Sequence, residues 1–97
     1  MKFLIVAKLG GEPLAPESAF ETYKASQAYG NQLLEDGTHD CAYAFFEGGG
    51  MAIANADSAD EVYRNLTKYP MWQNFLWEVT PLLDWNQTID SLLAMFQ

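Results

Sequence analysis

Two prolines fence the stretch that most constrains this chain, Tyr69-Pro70-Met71-Trp72-Gln73-Asn74-Phe75-Leu76-Trp77-Glu78-Val79-Thr80-Pro81-Leu82. Pro70 stops any helix arriving from upstream, because the residue before a proline is pushed out of the helical region. Beyond it the pattern alternates. Phe75, Trp77 and Val79 fall on one side of an extended chain, and Leu76, Glu78 and Thr80 on the other. The stretch reads as a helix stop, a turn and a closing strand over residues 75–80. Its strand is apolar on one side and carries Leu76 beside Glu78 and Thr80 on the other, so it calls for sheet neighbours and for cover on both faces.

The same two-sided pattern recurs upstream. Residues 2–9 read as a strand, with Phe3, Ile5, Ala7 and Leu9 opposite Leu4 and Val6. Residues 40–47 and 51–56 read as a hairpin around Gly48-Gly49-Gly50. That triplet lacks a downstream Lys-Ser/Thr and the spacing of a dinucleotide loop, so a phosphate-binding role is not indicated. Between the first two strands a helix is expected over residues 16–36, with Pro16 at its first position and Gly37 beyond its end. Phe20, Tyr23, Gln27, Gly30 and Leu34 form its expected inner stripe. A second helix should begin at the capping box Ser58-Ala59-Asp60-Glu61, burying Ala59, Val62, Tyr63 and Leu66. After Pro81, Asp84 is positioned to cap a third helix whose Trp85, Ile89, Leu92, Leu93 and Phe96 share a face.

The order β-α-β-β-α-β with a terminal helix is the ferredoxin-like α+β arrangement, an antiparallel sheet with both main helices on one face. One domain spans residues 1–97, with a core over about 1–82 and the terminal helix over about 85–96. Composition bears on what covers the other face. A 97-residue chain with 49% hydrophobic residues is short for the apolar surface it carries. A two-fold homodimer with facing sheets, a barrel across the subunits, is the expected solution. The formal net charge of −8 argues against nucleic acid and anionic membrane as partners. Cys41 is the single cysteine, so no intrachain disulfide forms. The apolar run between Lys2 and Lys8 is shorter than a secretory core, and no run approaches a membrane span, so a cytoplasmic, soluble protein is expected.

The closing strand also carries a likeness. Tyr69-Pro70-Met71-Trp72 followed by Trp77-Glu78-Val79-Thr80-Pro81-Leu82 resembles the muconolactone isomerase family, in which a proline-containing turn leads into a strand with a similar glutamate-valine-threonine-proline-leucine end. Lys2-Phe3-Leu4-Ile5-Val6, Gln32-Leu33-Leu34-Glu35-Asp36-Gly37 and residues 54–62 are similar to its first strand, first helix end and second-helix start. The resemblance implies a dimeric α+β barrel, often assembled into larger rings. It further implies a cofactor-free isomerase that shifts a double bond within an unsaturated lactone by proton transfer. The chain departs from that family where the first helix reads Ala25-Ser26-Gln27-Ala28-Tyr29 instead of a charged cluster, and where the second strand has no Arg. It also has Asp84-Trp85 and a tail helix where the family has histidine-proline.

Two residues are candidates for proton transfer. Glu78 would gain a raised pKa if desolvated on its strand, the alternative being an ion pair with a lysine. His39, the only histidine, titrates near neutrality by default, the alternative being an exposed loop residue. Gln27 on the inner helix face could hydrogen-bond a ligand carbonyl. Tyr23, Tyr43, Trp72 and Trp77 are candidate ligand-binding aromatics, the alternative being core packing. His39-Asp40-Cys41 lacks metal-ligand geometry, and neither a metal nor another cofactor is expected. Two functions follow: a cofactor-free isomerase acting on a small oxygenated ring, or a non-catalytic dimeric barrel that binds an apolar ligand or serves as an interaction module. The first requires Glu78, His39 and Gln27 to converge on one cavity, and fails if they do not.

Overall fold

The computed structural model describes residues 1–97. Its elements are β1 (Lys2–Lys8), α1 (Pro16–Glu35), β2 (His39–Ala44), β3 (Gly50–Asn55), α2 (Ala59–Leu66), a 3₁₀ turn (Trp72–Asn74), β4 (Leu76–Leu82) and α3 (Trp85–Ala94). The strands form one antiparallel sheet in the order β2-β3-β1-β4. This is the ferredoxin-like arrangement the alternation and helix pattern require. No helix is long and apolar enough to cross a membrane.

The helix ends are set by local chemistry. Ser58 Oγ accepts from the Glu61 amide at 3.2 Å, and the Glu61 carboxylate accepts from the Asp57 amide at 2.9 Å. Both bonds satisfy amides that a helix start leaves unpaired. Asp84 caps α3 in the same way, accepting from Gln87 at 2.9 Å. Gly37 follows α1 with φ +81°, the left-handed geometry expected of a residue just past a helix end.

The core lies between the sheet and the two main helices. Phe3 and Ile5 from β1, Ala52 and Ala54 from β3, Ala56, and Val62 and Leu66 from α2 are all buried there. Three expectations need correction. On α1 the buried residues are Ser26 and Leu33, flanked by half-buried Thr22, Tyr29 and Gly30, so the stripe is rotated from the one read in sequence. Phe20, given to the inner stripe, is 70% exposed. On α2, Ala59 and Tyr63 are likewise exposed, and Val62 and Leu66 alone are buried. Lastly, β4 continues through Pro81 to Leu82. It can do so because it is an edge strand, where a missing N–H leaves no ladder bond unmade.

The opposite sheet face is open. Leu4, Val6, Met51 and Ile53 are half-buried there, and Leu76 is exposed. The ion pair Lys8–Glu78 sits on the same face, at 2.9 Å. α3 has no buried residue; Trp85 and Leu93 stand exposed on it, and Phe96 just beyond its end. The molecule measures 62 × 27 × 23 Å with a radius of gyration of 16.1 Å. A compact chain of this length is expected at about 13 Å. The excess reflects this elongation, with an apolar terminal helix that leaves no residue buried in its own chain.

Candidate functional site

A cavity of about 640 Å³ opens between α1 and the sheet. The sheet side is built from small residues: Ala7, Ala42, Ala44 and Ala52. These small side chains leave the space beneath the helix unfilled, and a void of ligand size remains. α1 contributes Tyr23, Gln27, Asn31 and Leu34, spaced to lie along one edge of the helix. Tyr69, Phe75 and Trp77 close the far end.

His39 reaches this cavity because of one extra residue. The β2–β3 register shifts between His39 and Cys41: His39 pairs with Ala54, and Cys41 pairs with Ile53. Asp40 is the inserted residue of a β-bulge. Strict alternation would put His39 on the open face with Cys41 and Tyr43; the bulge turns it to the helix face with Ala42 and Ala44. The bulge is held from outside. The Asp40 carboxylate binds Lys2 Nζ and accepts from Asn55 Nδ2 at 2.6 Å, and Asn55 Nδ2 also donates to the Gly37 carbonyl at 3.1 Å. The Lys2 and Asn55 hydrogen bonds hold Asp40 below the usual carboxylate range.

His39 is 3% exposed, so the expected alternative of an exposed loop histidine does not hold. Its Nε2 lies 3.4 Å from the Tyr69 hydroxyl, a long hydrogen bond. Its Nδ1 is buried and makes no hydrogen bond within normal geometry. Burial pushes the imidazole below its ordinary pKa of 6.5, while the Thr38 backbone and the Asp36 carboxylate act weakly in the other direction. The ring is therefore neutral at pH 7. Tyr69 is stacked on Trp77 at 5.7 Å between ring centroids and meets Tyr29 edge-on at 4.7 Å. Burial, with a smaller effect from Tyr29, pushes its hydroxyl up to about 12, which keeps the proton on it. Tyr29 donates its own proton to the Asn65 carbonyl at 2.6 Å, so Tyr69 is the hydroxyl left to face the imidazole. Gly30 makes room for this group. A Cβ there would come within 3.3 Å of the Tyr69 hydroxyl. Gly30 thus packs closely against Tyr69.

The depressed imidazole pKa makes stability depend on pH. The unfolded chain binds a proton near pH 6.5 and the folded chain only at lower pH, so the unfolded state holds more protons in between. This contribution is complete above pH 6.5 and is lost as the pH falls through that value toward the depressed one. Urea midpoints measured from pH 7.5 downward should fall through this window. Substituting His39→Gln should flatten that segment of the curve.

The other candidates divide. Gln27, Tyr23 and Trp77 line the cavity, and Tyr43, 69% exposed, stands at its rim. Trp72 does not line it. It stacks behind Trp77 at 5.5 Å and accepts that indole's N–H on its carbonyl at 2.8 Å. Glu78 points away, on the open face beside Val6, bound to Lys8. The ion-pair alternative read for it in sequence describes what it does. His39, Gln27 and Glu78 therefore do not converge, which overturns the three-residue proton-transfer site expected from the sequence; of the three, only His39 and Gln27 line the cavity. Cys41 is half-buried on the open face, and no three His, Cys, Asp or Glu side chains gather in metal-binding geometry. Sequence reasoning missed Asn31, one helical turn from Gln27, and Tyr69, which it read only as a helix stop. The 4-residue spacing of Tyr23, Gln27 and Asn31 was the available signal.

No protein-family model matches this chain, and no curated protein is similar to it in sequence. Solved structures are more informative. A 5-chloro-2-hydroxyhydroquinone dehydrochlorinase from Burkholderia phenoliruptrix AC1100, in complex with 2,5-dihydroxybenzoquinone, superposes with a TM-score of 0.70. That match covers 90% of this chain and 98% of the enzyme at 21% identity. Muconolactone isomerase superposes with a TM-score of 0.76, covering 87% of this chain and 90% of its own at 16% identity. At such identities the likeness is one of fold. The chain thus shares the ferredoxin-like fold of muconolactone isomerase.

Proposed function

We propose that this protein is a cofactor-free proton-transfer enzyme acting on a small oxygenated ring, with His39 as the group that carries the proton. The observation that supports this reading most is the bulge at Asp40, which sets the sole histidine, neutral at pH 7, in the wall of a ligand-sized cavity. In the proposed step the neutral imidazole takes a proton from a ring carbon next to a carbonyl. The C–H electron pair moves into the ring as the carbonyl oxygen gains charge, and the Gln27 amide donates a hydrogen bond to that oxygen. The imidazolium then returns the proton to a different ring carbon, so the double bond has moved and nothing is consumed. Tyr69 holds the imidazole from behind. Two proteins of this fold whose names carry a lactone and a hydroquinone are consistent with a ring substrate.

The test is solvent exchange. Unsaturated five- and six-membered lactones and cyclic enones incubated with the protein in D₂O should gain deuterium at ring carbons faster than in buffer, without added metal or cofactor. Binding without exchange across the panel would support the runner-up, a non-catalytic barrel that takes up a small apolar ligand. The abundance of alanine and aromatic side chains around the cavity favours that alternative.

We also propose that the open sheet face pairs with that of a second copy, as the apolar row of Leu4, Val6, Met51 and Ile53 favours. The exposed apolar face of α3 would be covered in the same assembly. Sedimentation at micromolar concentration should give a dimer or a multiple of one; a monomer would remove this part of the reading.

A further inference from the structure

We propose that the cavity between α1 and the sheet selects an uncharged flat ring bearing oxygens and rejects the same ring carrying a carboxylate. This rests on the cavity being the functional site, as proposed above, and adds the charge class of its ligand.

The argument is a census of charge. No Lys, Arg, Asp or Glu lines the cavity. The chain has only five cationic side chains, and each is engaged or placed elsewhere. Lys2 is bound to Asp40 and Lys8 to Glu78. Lys24 lies over the Phe20 ring at 5.7 Å, on the solvent side of α1. Arg64 and Lys68 are exposed at the end of α2 and just beyond it. A second copy seated on the open face would bring Lys2 and Lys8, both already paired with carboxylates. An anion entering the cavity would thus shed water with only the buried His39 imidazole, neutral at pH 7, to meet it, which is strongly unfavourable. The net charge of −8 adds a long-range repulsion of the same sign. A cationic ligand fares no better locally, since the lining holds no carboxylate.

What the cavity does offer is suited to a neutral oxygenated ring. Gln27 and Asn31 present two side-chain amides one helical turn apart, neither hydrogen-bonded within the chain. Each supplies both a donor and an acceptor. Tyr69, Phe75 and Trp77 supply flat apolar surface at the other end.

The experiment compares matched probes: coumarin with coumarin-3-carboxylate, and 2-naphthol with 3-hydroxy-2-naphthoate. Binding is followed by calorimetry and by the imidazole resonances of His39, which are unambiguous because the chain has one histidine. Working at about 0.5 M salt screens the long-range field, so that the remaining preference reports the cavity. The neutral member of each pair is expected to bind at least about tenfold more tightly and to shift the His39 signals. Gln27→Lys, an exposed helix position, should narrow or reverse that preference with the fold intact by circular dichroism. Equal or tighter binding of the carboxylated members to the unmodified protein overturns the proposal while leaving the cavity as a site. Binding of either class with no shift at His39, or no binding at all, overturns the cavity reading and this inference together.

Discussion

Gly49→Ala is expected to destabilise the fold by about 3 kcal/mol or more. Two costs coincide there. Gly49 sits in the β2–β3 turn at φ +78°, a conformation that costs an alanine about 1–2 kcal/mol. A Cβ on this residue would also lie 2.1 Å from the Ala7 carbonyl oxygen. That atom is backbone at the end of β1, and it cannot swing aside as a side chain would. Gly37→Ala separates the two costs. Gly37 has nearly the same φ, +81°, but nothing lies within 4 Å of its Cβ position. It should cost only the backbone term, about 1–2 kcal/mol. Urea midpoints for the two variants settle the matter; equal losses would mean that the hairpin yields and the contact with Ala7 carries no weight. Because Gly48, Gly49 and Gly50 border the cavity, Gly49→Ala should also weaken ligand uptake.

His39→Gln is expected to lower the ring-deuteration rate by about 10²–10⁴-fold, the range for removing a positioned acid–base group. Glutamine keeps a polar side chain of similar reach but cannot accept and release a proton near neutral pH. The unmodified protein should show a rate that rises with pH through the depressed imidazole pKa and then levels off, since the neutral ring is the active form. Glu78→Gln is the control. Its carboxylate lies on the other face of the sheet with Lys8, so the rate should stay within about twofold, and an exposed pair of this kind contributes little to stability. A collapse of activity in Glu78→Gln with His39→Gln unaffected would reverse the assignment. Tyr69→Phe keeps the stacking on Trp77 and removes the hydroxyl beside Nε2. It should move the pH profile and reduce the rate less than His39→Gln does.

These outcomes depend on features of unequal visibility in the sequence. The caps at Ser58 and Asp84 and the glycine after α1 are local devices, and local chemistry is enough to read them. The placement of Glu78 beside a lysine was open in the sequence as one of two alternatives, because alternation assigns a residue to a face without saying which face the helices cover. The α1 stripe was read one residue away from its buried line. Ser26 lies outside the stripe that periodicity predicts, yet it is buried and accepts the Met71 amide at 3.1 Å. Its partner comes 45 residues later, beyond any periodicity argument. Trp72 was grouped with the ligand aromatics by residue type, whereas its position behind Trp77 depends on the 3₁₀ turn that carries it.

The element order, the helix caps, the hairpin glycines and the surplus of apolar surface are all legible in the chain. Each of these is written in residue types a few positions apart, and that order admits few topologies. Tertiary structure alone decided the chemistry of the site. One inserted residue, Asp40, held by Lys2 from another strand and by Asn55, rotates His39 from one face of the sheet to the other. A strand's side-chain period is two, so a single-residue bulge inverts every assignment made by counting across it. The hydroxyl that meets the imidazole comes from Tyr69, 30 residues away, across space kept free by Gly30.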